Sequence, residues 1–97
     1  MSTWLISQLQ IHNPAEYELY VSKTIPTLKK YNGRLILLAD KLTLLEGESP
    51  LPRTVIIEFE NKEIANNWYY SPEYQEIIPI RQRSAKSNIV LIENTLT

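Results

Sequence analysis

The chain has 97 residues, of which 43% are hydrophobic and 22% charged, and its net charge is −1 with a pI of about 5.8. These values describe one ordinary globular domain with a core over residues 3–94, and they lack the basic stripe that a nucleic-acid module sets against phosphates. There is no cysteine, which excludes disulfides, thiolate metal sites and thiol nucleophiles.

Met1-Ser2-Thr3-Trp4 carries no basic region ahead of a long apolar run, so no signal peptide is expected. The apolar runs are too short to span a bilayer, and a cytoplasmic location with no membrane partner follows as the expectation. Trp4 to Ile11 is short and partly alternating, which reads as a strand. Asn13-Pro14-Ala15-Glu16 is a strong helix start, with Asn as N-cap and Pro at the first helical position. Tyr17, Tyr20, Val21, Ile25, Leu28 and Tyr31 recur at helical spacing and predict one apolar face, with Pro26 expected to kink or interrupt the helix. Asn32-Gly33 stops it, with Gly33 suited to the left-handed position.

Arg34 to Leu38 follows as a strand, with Leu42 to Glu46 a candidate continuation beyond Asp40-Lys41. Gly47 to Pro52 is a loop on its turn chemistry. Thr54 to Glu60 is the clearest strand, β-branched and bounded by Pro52 and Asn61. Asn61 caps a second helix bearing Ile64, Ala65 and Trp68, and Asn88 to Glu93 closes the chain as a strand. Strand, helix, strand, strand, helix, strand is the order of the split βαβ, ferredoxin-like α+β fold: a four-stranded antiparallel sheet with two helices on one face.

The last two strands are apolar on both sides. Val55, Ile57 and Phe59 alternate with Ile56 and Glu58, and Ile89 and Leu91 alternate with Val90 and Ile92. Two helices cover one sheet face, so the other needs cover as well. A second copy of the same sheet is the economical answer, giving a two-fold homodimer through the open sheet face.

Between the second helix and the last strand lies the densest motif, Trp68-Tyr69-Tyr70-Ser71-Pro72-Glu73-Tyr74-Gln75-Glu76-Ile77-Ile78-Pro79-Ile80-Arg81. Ser71-Pro72 reads as an N-cap with proline at the first helical position. Tyr74, Ile78, Arg81 and Ala85 then fall on one face, which places an arginine on an apolar stripe. With Ser84-Ala85, Asn13-Pro14-Ala15-Glu16-Tyr17, Tyr31-Asn32-Gly33-Arg34, Leu45-Glu46-Gly47 and Val55-Ile56-Ile57-Glu58-Phe59, this motif resembles the bacterial domain-of-unknown-function family 1330 over residues 4–93. The chain has Asn32 where the family often has glycine, and Ala39-Asp40 where glycine is common. The resemblance implies a dimeric α/β-barrel assembly of ferredoxin-like domains and no settled reaction. Relatives at superfamily level include cofactor-free monooxygenases, lactone isomerases, haem-degrading enzymes and ligand-sensing modules, so fold does not fix function.

Arg81 is the leading candidate for chemistry, either clamping a carboxylate or enolate of a ligand or forming a structural ion pair with Glu58. Glu58 is the alternative general base if burial raises its pKa, and Glu46 is a weaker one. Tyr17, Tyr20, Trp68 and Tyr74 either line an aromatic ligand pocket or serve as core with polar tips. Ser71 is a cap rather than a nucleophile, Arg83 is expected in solvent, and His12 is a lone loop histidine that makes no metal site. No glycine-rich phosphate loop is present, and no cofactor is expected. Two readings follow: a small cofactor-independent enzyme of the monooxygenase or isomerase type, and a non-catalytic module that binds or senses a small aromatic or carbonyl/carboxylate metabolite. An RNA-binding domain is rejected, because the third strand offers only Phe59, on a face expected to be covered.

Overall fold

The computed structural model describes residues 2–95. Strand β1 (Thr3–Ile11) leads into helix α1 (Pro14–Lys30), strands β2 (Arg34–Ala39) and β3 (Arg53–Phe59), and helix α2 (Lys62–Tyr69). Two short helices, α3 (Pro72–Gln75) and α4 (Ile78–Ser84), precede strand β4 (Ala85–Glu93). The sheet runs β2-β3-β1-β4 and every neighbouring pair is antiparallel. This is the ferredoxin-like arrangement.

The caps follow from their side chains. The Asn13 carboxamide oxygen accepts the Glu16 amide at 3.3 Å, and Asn61 accepts the Ile64 amide at 2.8 Å. The Ser71 hydroxyl accepts the Tyr74 amide and donates to the Trp68 carbonyl at 2.7 Å, joining α2 to α3. Pro26 does not interrupt α1, which runs unbroken to Lys30. Both Pro26 and Ser22 face solvent, so the carbonyl that the proline leaves without an amide donor is open to water.

At the end of α1, Gly33 donates to the Leu28 carbonyl at 2.9 Å and Asn32 to that of Lys29 at 3.2 Å. This is a Schellman closure, and its left-handed residue is Asn32 (φ 57°) rather than Gly33 as expected. Glycine is needed at position 33 for space. A Cβ there would stand 3.0 Å from both Leu28 Cδ2 and Phe59 Cε1.

Three expected boundaries move. The stretch from Leu42 to Glu46 forms no strand and is exposed. The β2–β3 ladder ends at Ala39 opposite Thr54, one residue short of the start of β3, so a longer β2 would have nothing to pair with. The helix after Ser71 divides between α3 and α4, with Pro79 in the first turn of α4. β4 begins at Ala85, three residues before the expected Asn88. The stripe nevertheless survives, since Tyr74, Ile78, Arg81 and Ala85 are all buried.

Leu5, Leu9, Ile57 and Phe59 meet Ala65, Trp68, Tyr74, Ile77 and Ile78 in the core beneath the helices. The alternate residues of the strands face the other way and are not covered by helices. Register aligns Leu37, Ile56, Ile6 and Val90 in one row across all four strands of that open face.

Candidate functional site

The buried side of α1 is Tyr17, Tyr20, Thr24 and Thr27, whereas Val21 and Ile25 of the expected apolar face are exposed. Threonine can be buried here because its hydroxyl is satisfied. Thr24 donates to the Tyr20 carbonyl at 2.8 Å, and Thr27 donates to the Thr24 carbonyl while accepting from Trp68 Nε1 at 2.9 Å. This rotation packs α1 chiefly against α4 rather than flat on the sheet. Space remains below it.

That space is a pocket of about 240 Å³ between α1 and the sheet. Its floor consists of buried residues, Leu5, Tyr17, Tyr20, Ile57, Trp68 and Tyr74. Its rim is mostly apolar, with the exposed Val21 and Ile25 of α1 and Leu35 and Leu38 of the edge strand β2. All four aromatic residues singled out in the sequence, Tyr17, Tyr20, Trp68 and Tyr74, line it together.

They form a continuous aromatic wall. Trp68 and Tyr74 have ring centroids 4.0 Å apart, Tyr17 and Tyr20 are at 5.4 Å, and Tyr20 meets Tyr74 edge-on at 6.3 Å. The Tyr20 and Tyr74 hydroxyls are hydrogen-bonded at 2.6 Å. Burial pushes the Tyr20 phenol well above its usual pKa, and burial also raises Tyr74 and Tyr17. At neutral pH all three are therefore un-ionised and able to donate a proton in a hydrogen bond.

Arg81 stands behind this wall rather than in it. It is only 5% exposed, its Nη1 donates to the Ser87 hydroxyl at 2.6 Å, and its guanidinium lies 5.9 Å from the Tyr20 ring centroid. Its Nε is buried without a hydrogen-bond partner. Among the described residues no carboxylate pairs with it. Its charge is felt by the phenols, holding down part of the rise that burial imposes on Tyr74.

Glu58 is not the partner of Arg81. It lies on the open face of the sheet, where it accepts from Trp4 Nε1 at 3.2 Å and forms an ion pair with Arg34. Those two bonds lower its pKa, contrary to the raised value a general base would need. Strand alternation explains the separation, for Glu58 points away from the side that Ile57 and Phe59 present to the helices. His12 and Glu46 are exposed, and Arg83 forms an exposed ion pair with Glu16 at 3.0 Å.

The site also contains a charged residue that was not among those expected from the sequence. Arg53 lines the pocket mouth, with its guanidinium 6.0 Å from the Tyr17 ring centroid and its Nε donating to Asp40 at 2.5 Å. The signal was present: position 53 is two before Val55 and four before Ile57, on the same face of the strand. Among the described residues no cluster of histidines and carboxylates is arranged to hold a metal, and no helix is long and apolar enough to cross a membrane.

The family model for the Domain of unknown function (DUF1330) matches residues 2–95. No curated protein matches the sequence. Among solved structures, the RPA0582 protein of unknown function from Rhodopseudomonas palustris superposes with a TM-score of 0.80 at 14% identity, covering 99% of this chain and 84% of that one. SnoaB, a cofactor-independent oxygenase from Streptomyces nogalater, superposes at 0.67 with 16% identity, covering 99% and 95%. HapK from Hahella chejuensis superposes at 0.63 with 13% identity, covering 100% and 95%. At these identities the likeness is one of fold.

Proposed function

The chain belongs to the family of the domain of unknown function DUF1330, and from that premise we propose that residues 1–97 form a single cytoplasmic domain that binds a small aromatic or carbonyl- or carboxylate-bearing metabolite beneath α1. The observation that carries this reading is the hydrogen-bonded Tyr20–Tyr74 pair, both residues lining a mostly apolar pocket, with the Arg81 guanidinium beside the Tyr20 ring. Two phenols have two protons, and their mutual bond uses one. The other is available to an oxygen of a bound molecule. Arg81 favours negative charge on that oxygen without touching the ligand, in the manner of a preorganised oxyanion site. The aromatic wall supplies the apolar contact area for a flat body.

The same arrangement supports turnover as a second reading, by stabilising an enolate or phenolate in cofactor-independent oxygenation or isomerisation. The fold likeness to SnoaB favours it. Among the described residues no carboxylate or imidazole lines the pocket, so a substrate would be one whose own hydroxyl is already acidic. Both readings include a homodimer through the open sheet face, whose central row is Leu37, Ile56, Ile6 and Val90.

A thermal-shift screen against hydroxylated aromatics, lactones and small aromatic carboxylates tests the site. A ligand at one hundred times its Kd adds about 2.7 kcal/mol of apparent stability. Stabilisation by a hit should disappear in the Tyr20→Phe, Tyr74→Phe double variant, and its full retention there rules the site out. Recovery of the hit after prolonged incubation separates the readings: an unchanged compound means binding alone, an oxidised or isomerised one means catalysis.

A further inference from the structure

Arg53 pairs with Asp40 at the pocket mouth. Arg53 is placed by the alternation of β3, on the face that carries Val55 and Ile57 toward the helices. Its side chain is largely covered, whereas that of Asp40 is 61% exposed. Asp40 follows the last laddered residue of β2 and opens a stretch without regular structure. Its carboxylate engages only Nε, through one oxygen, so the guanidinium fork is not matched two-for-two as a bidentate carboxylate would match it. An ion pair with one partner so exposed contributes little to stability.

Charge points the same way. The site has one guanidinium behind its floor and another at its mouth, and Asp40 is the one carboxylate bonded to either among the described residues. This lies in a chain whose net charge is −1. Between the two cations Tyr17 and Tyr20 form an unbroken pair of rings, each at cation–π distance from one arginine. A molecule lying along these rings would have an oxygen at the tyrosine hydroxyls and its far end at Arg53.

We propose that Arg53 is the specificity-determining residue of this pocket and that the ligand is an aromatic carboxylate, whose carboxylate displaces Asp40 from Arg53 while its ring lies against Tyr17 and Tyr20. Asp40 is then an internal competitor, occupying the guanidinium in the empty protein and leaving it when the ligand enters. This rests on the pocket reading above and adds to it the charge of the ligand and the residue that reads it.

The test uses two probes of one shape, 2-naphthoate and the neutral 2-naphthalenemethanol, titrated calorimetrically into the full chain. The wild type should bind the naphthoate roughly tenfold tighter, a factor worth about 1.4 kcal/mol. Arg53→Gln should bring the two probes to equal affinity, with retained affinity for the alcohol showing that the pocket is intact. Asp40→Asn should tighten naphthoate severalfold and leave the alcohol unchanged. Equal binding of both probes by the wild type overturns the proposal and spares the pocket, as does a preference that survives Arg53→Gln. Failure of the wild type to bind either probe overturns the pocket reading and this proposal with it.

Discussion

The hydroxyl of Tyr20 on α1 and that of Tyr74 on α3 meet at 2.6 Å in the interior, 54 residues apart in sequence. The bond ties the helix over the pocket to the motif that closes the core. Tyr20→Phe or Tyr74→Phe leaves the other hydroxyl buried without its partner, which costs about 1–3 kcal/mol. The double variant removes both groups and should be less destabilised than the sum, with a coupling of about 0.5–3 kcal/mol in urea denaturation. Strict additivity would mean that the bond contributes nothing.

Arg81 is buried with a hydroxyl partner, an aromatic neighbour and an orphaned Nε, but no carboxylate. A charge so placed is a liability to folding. Arg81→Met keeps the length and apolar stem of the side chain, and should leave stability unchanged or raise it by about 1 kcal/mol while weakening binding of any anionic ligand. Arg81→Ala and Glu58→Ala should be additive, since the sheet separates them. A fall of several degrees in the Tm of Arg81→Met would show that the guanidinium serves the fold after all.

Two limbs of the pH–stability profile follow from the shifted groups. Tyr17, Tyr20 and Tyr74 have folded-state pKa values raised by burial. Their contribution is complete below the unfolded tyrosine value of about 10 and is lost as pH rises from there through the folded values. Phenolate absorbance from these three should therefore appear together with unfolding rather than before it. Glu58 is shifted the other way, downward, by its bonds to Arg34 and Trp4. Its contribution is present above the ordinary glutamate value of about 4.3 and is lost as pH falls below it. Glu58→Gln should flatten that acid limb, and an unchanged limb would remove Glu58 as its source.

The capping residues and strand alternation were legible in the sequence because they are local chemistry: Asn13, Asn61 and Ser71 each bond the amide three residues on. The aromatic members of the site were legible for the same reason, as bulky residues at helical spacing. What was not legible depends on partners distant in sequence. Leu42 to Glu46 is apolar enough for a strand, but the β2–β3 ladder ends at Ala39, with only Arg53 of β3 beyond it. Val21 and Ile25 fit an apolar stripe, yet Thr24 and Thr27 are buried in preference because Trp68 and the Tyr20 and Thr24 carbonyls satisfy their hydroxyls. Glu58, mid-strand among apolar neighbours, was expected as a partner of Arg81, although its parity on β3 was itself readable in the alternation with Val55, Ile57 and Phe59 and turns it to the open face. Asn32 takes the left-handed position expected of Gly33, and Gly33 is needed instead for space, because the closeness of Phe59 to position 33 is a tertiary fact.

Leu37, Ile56, Ile6 and Val90 form a row across four strands, flanked by Trp4 and Ile92. Val90 is 53% exposed and Leu37 41%. Contiguous exposed apolar patches are where association surfaces are found, and the proposed homodimer has its seam on this strip. Two copies related by a two-fold axis would bury it against itself, and any charge placed at its centre would meet its own copy or another apolar row. Ile56→Lys places a charge inside the row, because Ile56 has a row neighbour on either side, Leu37 and Ile6. In sedimentation velocity at micromolar concentration the wild type should run as a dimer and Ile56→Lys as a monomer. The pocket lies on the other side of the sheet, so the variant should keep its ligand affinity to within about twofold, a change of less than 0.5 kcal/mol. A wild type that sediments as a monomer would leave this strip without a second copy to cover it.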